Sequence, residues 1–125
     1  MPTPKNEPKE RLALYRQIKI NVIGRKSGKT ISIPVPFVLE GEKLYLLPVQ
    51  GSDTQWYKNV LQNPSIQIDA RGVGGEFRAV LLTDAKAVKS VVQKFRNKYG
   101  AKDVKKYYSK FDVAALVELV QSTVF

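Results

Sequence analysis

The residues best suited to chemistry stand together: Arg25, Lys26, Ser27, Gly28 and Lys29, preceded by Gly24 and followed by Thr30. Cations, hydroxyls and glycines packed this closely suit a phosphate. Arg and Lys supply charge, the hydroxyls supply hydrogen bonds, and glycine lets backbone N–H groups approach an anion. The same residues also make an ordinary solvated turn. Gly24, three residues, then Gly28-Lys29-Thr30 approaches the P-loop pattern, but its spacing is one residue short. A P-loop must also open a helix, whereas the stretch from Thr30 to Phe37 is β-branched and holds Pro34 and Pro36. The P-loop reading is set aside.

The elements that must hold this loop are strands. Ile18, Ile20 and Val22 alternate with Lys19 and Asn21 before it, and Ile31, Ile33, Val35, Phe37 and Leu39 alternate with other residues after it. The loop therefore joins an antiparallel hairpin. Glu40 to Lys43 makes a tight turn into a third strand, Leu44 to Val49, giving three consecutive antiparallel strands. A turn at Gln50-Gly51-Ser52-Asp53 leads to a short helix from Thr54 to Gln62, with Asp53 or Thr54 as N-cap and Asn63-Pro64 as its stop. Trp56 and Asn59, three apart, share a face of it. Ser65 to Arg71 is a strand with Asp69 on the solvent side, Gly72 to Gly75 a hairpin turn, and Glu76 to Thr83 the fifth strand.

Asp84 caps a helix in which Val88, Val91, Val92, Phe95 and Tyr99 recur at helical spacing, while its lysines, Lys98 included, read as a solvated face. Gly100 ends it, and Lys102 to Tyr108 forms a second helical piece. The apolar run from Val113 to Val120 allows either helix or strand by period. A strand is expected, because five antiparallel strands leave open edges for it to cover. Before the first strand, Met1 to Pro8 reads as a loose tail and Lys9 to Gln17 as a short helix with Leu12 and Tyr15 on one side. Residues 1–17 thus precede one folded unit, residues 18–125. The polar, proline-bearing start does not read as a signal peptide and no apolar run reaches membrane-spanning length, which predicts a cytoplasmic protein.

Composition narrows the chemistry. With 125 residues the chain can build one core, and its formal net charge of +10 favours an anionic partner. It contains no Cys and no His. Thiol nucleophiles, Cys/His zinc sites and Ser-His-Asp arrangements are excluded. Redox chemistry would have to be carried by a bound cofactor, with the protein binding and orienting it.

Taken in order, Gly24-Arg25-Lys26-Ser27-Gly28, Pro34 in the next strand, Gly51-Ser52, Trp56-Tyr57 with Asn59, and Asn63-Pro64 resemble the deazaflavin-dependent nitroreductase-like proteins. The resemblance implies a mainly β (α+β) fold, an antiparallel split β-barrel of about six strands of the flavin-reductase type with flanking helices. It implies a reductase that passes hydride or electrons from coenzyme F(420), a deazaflavin, or from FMN to a small organic acceptor. It also implies a homodimer. Carried over by position, Arg25, Lys26, Ser27, Gly28 and Lys29 would hold the cofactor phosphate, and Pro34 and Val35 would lie under its ring. Gly51 and Ser52 would offer N–H groups near the ring with Gln50 beside the cofactor, Trp56 and Asn59 would border the pocket, and Tyr99, Tyr107 and Tyr108 are candidates to face the substrate. Ile31 stands where the family has arginine and Gln50 where many members have lysine. Two other readings use the same residues: a basic nucleic-acid-binding barrel, and a cofactor-binding protein without turnover.

Overall fold

The computed structural model describes residues 16–70 and 73–119. The expected helix through Leu12 and Tyr15 falls outside them. Seven strands form one curled antiparallel sheet: β1 (Ile18–Ile23), β2 (Thr30–Val35), β3 (Val38–Glu40), β4 (Lys43–Leu46), β5 (Ser65–Ala70), β6 (Val73–Leu82) and β7 (Ala114–Glu118). Their order is β2-β1-β5-β6-β7-β4-β3, so the two edge strands are neighbours in the chain. Three helices accompany the sheet: α1 (Gln55–Gln62), α2 (Ala85–Tyr99) and α3 (Ala101–Tyr107). Among the described residues no helix is long and apolar enough to cross a membrane.

The alternation of β1 does what it predicts, since Ile18, Ile20 and Val22 are buried and lie opposite Val35, Ile33 and Ile31 of β2. The stretch from Ile31 to Leu39 is two strands rather than one, which raises the count from about six to seven. Pro34 and Pro36 have no N–H to donate, and the chain leaves the sheet at Pro36-Phe37 and crosses from one edge to the other. Of the three expected consecutive strands, the first hairpin forms as β1 with β2 and the tight turn joins β3 to β4, but β4 pairs with β3 and β7 and not with β2. The expected turn at Gly72 to Gly75 is also shorter, because Gly74 and Gly75 pair with Asp69 and Ile68 inside β6. The last apolar run is a strand and fills the gap between β6 and β4.

Two apolar clusters result. One fills the curl of the sheet with Ile20, Phe37, Leu46, Trp56, Val60 and Val117. The other packs Val88, Val91, Val92 and Phe95 of α2 and Val104 of α3 against Val38, Leu47 and Ala114. Asp84 caps α2 as expected, accepting from the N–H groups of Lys86 and Ala87.

The C-terminal end of α2 holds the crossover. The Tyr99 hydroxyl accepts from the Phe37 N–H at 3.0 Å and lies 2.8 Å from the Phe37 carbonyl and 2.7 Å from that of Arg16. Its single hydrogen goes to one of those two. Lys98 donates to the Phe37 carbonyl at 2.9 Å with its ammonium 3.6 Å from the centre of the Phe37 ring. Lys98 is thus not on a solvated face. Burial, with the Arg16 guanidinium beside it, pulls its pKa down to about 8. An unfolded chain keeps that proton to higher pH, so between pH 8 and 10 the unfolded state binds more protons and stability should rise with pH. Urea midpoints measured across that window should show the rise, and Lys98→Met should flatten it. A slope unchanged in that variant would assign the effect to another group.

Candidate functional site

β2 links the two parts of the site, with the basic loop at its start and a cavity at its end. The loop closes through Gly24 N–H to the Lys29 carbonyl and Gly28 N–H to the Gly24 carbonyl, both at 2.8 Å, and Lys29 N–H donates to Ser27 Oγ at 3.1 Å. Gly28 sits at φ 72°, a backbone conformation that glycine adopts without cost. Arg25 is half-buried and turned toward α1. Its N–H and Nη1 donate to Asn59 Oδ1 at 3.1 and 2.7 Å, and its Nη2 to Gln55 Oε1 at 2.8 Å. The amides of Gly24, Arg25, Gly28 and Lys29 are all taken up within the fold, so those four do not face an anion. What the loop presents outward is the exposed side chains of Lys26, Ser27 and Lys29.

Asn59 is a buried polar residue of the core, 4% exposed, and its carbonyl oxygen pins the loop to α1. Removing it leaves a half-buried guanidinium and an amide without their acceptor. Asn59→Ala should therefore lower stability by about 2 kcal/mol, measured by urea unfolding, and loosen the loop. Trp56, 5% exposed, belongs to the core with Tyr57 against its edge and does not line the cavity. Val35 is buried in the same core.

The cavity has a volume of about 630 Å³. One wall is Pro34, Pro36 and Val49; the other is Tyr99, Val104, Tyr107 and Tyr108 from α2 and α3, with Arg16, Gln17 and Asp103 at its margin. Of the sequence candidates the structure thus brings together Pro34, Tyr99, Tyr107 and Tyr108. Pro36 and Val49 were missed, although Pro36 stands two residues after Pro34 and so on the same side of an extended chain. Tyr107 is 62% exposed, whereas Tyr108 is 8% exposed. The Tyr108 hydroxyl is buried without a hydrogen-bond partner among the described residues. Burial, with Tyr99 near it, pushes its pKa up, so it keeps its proton and remains a donor.

Gln50, Gly51 and Ser52 adjoin the cavity through Val49. The Gly51 N–H donates to the Pro48 carbonyl at 3.1 Å and the Ser52 N–H to Asp112 Oδ1 at 2.9 Å, so neither amide is open to a ring. The Ser52 hydroxyl donates to Asp112 Oδ2 at 2.5 Å, and this bond holds the Asp112 carboxyl below the usual carboxylate range. Gln50 is bridged to Lys110, and the Ser109 N–H donates to the Val49 carbonyl at 2.9 Å. This turn is the dock for the segment that follows Tyr108.

A cavity walled by Pro34, Pro36 and Val49 on one side and by tyrosines on the other, continued along an edge strand to exposed lysines, fits a flat cofactor with an anionic tail. Four residues of strand from Thr30 to Pro34 span about 13 Å.

Solved structures of similar fold bear on the architecture. The chain resembles a coenzyme F(420)H(2)-dependent reductase, FDR-A, at 20% identity and TM-score 0.65, covering 82% of this chain and 94% of that one. It resembles a structure described as a domain-swapped dimer at 19% identity and TM-score 0.67, covering 93% and 100%. It also resembles the heme storage protein HutZ of Vibrio cholerae at 15% identity and TM-score 0.70, covering 94% and 91%. At such identities these establish the split-barrel fold. No curated protein matches the sequence. Residues 7–118 match a family described as F(420)H(2)-dependent quinone reductase. The chain belongs to that family, enzymes whose cofactor is the deazaflavin coenzyme F(420).

Proposed function

We propose that the protein reduces a quinone or a similar flat acceptor in the cavity between Pro34 and Tyr108. The observation that carries this reading is the buried Tyr108 hydroxyl, a donor with no acceptor among the described residues. When bound, reduced F(420) supplies a hydride. Pro34, Pro36 and Val49 offer a flat apolar shelf that excludes water, and Tyr107 borders the opening. A quinone carbonyl becomes negatively charged as it is reduced, and the Tyr108 O–H stabilises that charge by hydrogen bonding. Its raised pKa makes it a poor source of the proton itself. Lys26 and Lys29 hold the anionic part of the cofactor at the far end of β2.

A homodimer is part of the proposal. The similar structure described as a domain-swapped dimer supports it, as does the exposed apolar side chain of Val80, 48% exposed, beside Leu116 on the sheet. The cytoplasmic setting rests on the sequence grounds given above.

Tyr108→Phe separates function from structure. Losing a buried unpartnered hydroxyl should leave stability unchanged or raise it by about 1 kcal/mol. Turnover of reduced F(420) with menadione should fall roughly a hundredfold to a thousandfold, the share of a single oxyanion donor. A variant that is destabilised but fully active would overturn the assignment.

A further inference from the structure

The segment that brings Tyr108 to the first cavity carries Phe111 and Asp112 into a second, of about 560 Å³. Its floor is Val88 and Val92, both buried, and its rim carries Lys86, Lys89 and Arg96. Those three cations fall at i, i+3 and i+10 of α2, within an arc of about 80° and over roughly 15 Å of helix. None of them enters an ion pair among the described residues. The single carboxylate in the wall, Asp112, already accepts from Ser52 and lies 3.7 Å from Lys110. Phe111, 39% exposed, turns an aromatic surface toward the same space. The basic loop and the first cavity share none of these residues.

We propose that this cavity is a second binding site, for an organic anion with a flat apolar body, such as an aromatic carboxylate or sulfonate. Three cations against one occupied carboxylate select negative charge, and Val88, Val92 and Phe111 select an apolar frame over a bare inorganic ion. The volume falls within the range of small-molecule pockets. The site is coupled to the first cavity. The Phe111 ring stacks on Tyr108 with centroids 6.2 Å apart and planes inclined by 24°, and Asp112 holds the Ser52 turn. An occupant that fixes Phe111 therefore fixes the Tyr108 ring as well.

The test is amide NMR of the cofactor-free protein titrated separately with naphthalenesulfonate, with the neutral hydroxymethylnaphthalene and with inorganic sulfate. Naphthalenesulfonate should give saturable shifts at residues 83–96 and 109–112, and each control should bind at least about tenfold more weakly. Lys89→Ala/Arg96→Ala, two exposed positions whose loss leaves the core intact, should weaken the sulfonate about tenfold or more, and Phe111→Leu should weaken it with the cations in place. Shifts of equal strength from the neutral compound or from sulfate, or shifts confined to the first cavity, would overturn the proposal. So would line broadening at these amides that grows with protein concentration before any ligand is added, which would assign the face to a second copy of the chain.

Discussion

Gly51→Ala should be among the most damaging single substitutions in the protein, costing about 3–5 kcal/mol of stability in urea unfolding. Two costs combine. Gly51 sits at φ 55°, where a side chain costs roughly 1–2 kcal/mol. Its new Cβ would also overlap Asp112 Oδ1 and press on Lys110 Cγ at 3.0 Å. Asp112 would have to leave the Ser52 N–H and hydroxyl, and the dock for the segment after Tyr108 would open. The control is Gly28→Ala. Gly28 has a similar φ of 72° but nothing within 4 Å of its would-be Cβ, so it should lose only the conformational part. Equal losses at the two glycines would show that the Asp112 contact does not matter.

Lys26→Ala/Lys29→Ala should weaken binding of coenzyme F(420) about tenfold to a hundredfold, with little change in stability. Both side chains are exposed and take no part in the packing of the loop, whereas Arg25 is held by Asn59 and Gln55. Because the contacts face solvent, the difference between wild type and variant should shrink as salt is raised. Isothermal titration at two ionic strengths measures both effects. Undiminished affinity in the double variant would move the anionic tail elsewhere.

Much of this fold is legible in the sequence because local pattern decides it. The alternation of Ile18, Ile20 and Val22 follows the pleat, and Asp84 before a run of valines at helical spacing marks the start of α2. What pattern could not give was neighbourhood. Alternation continues unbroken through Pro34 and Pro36; the prolines mark where the ladder can break, but nothing local says that the chain crosses from there to the opposite edge. The pairing of β4 with β7 joins residues some seventy positions apart. Lys98 was misread by residue type, since it stands seven positions after Val91 and three after Phe95, on the apolar stripe, where the crossover gives its ammonium a carbonyl and a ring. In the site, Pro34, Tyr99, Tyr107 and Tyr108 were found through the family resemblance. The partnership of Arg25 with Asn59 was not, because it joins a loop to a helix and only the folded chain reveals it.

The central claim is that the cavity between Pro34 and Tyr108, extended along β2 to Lys26 and Lys29, is where coenzyme F(420) binds. Amide NMR of the labelled protein with oxidised F(420), and in parallel with FMN, tests it most directly. The account predicts saturable shifts from F(420) that map to residues 24–30, to Val35, Phe37 and Val49, and to residues 99–108, with FMN weaker. Shifts that miss both the cavity and the loop, or no saturable shift at all, would contradict it.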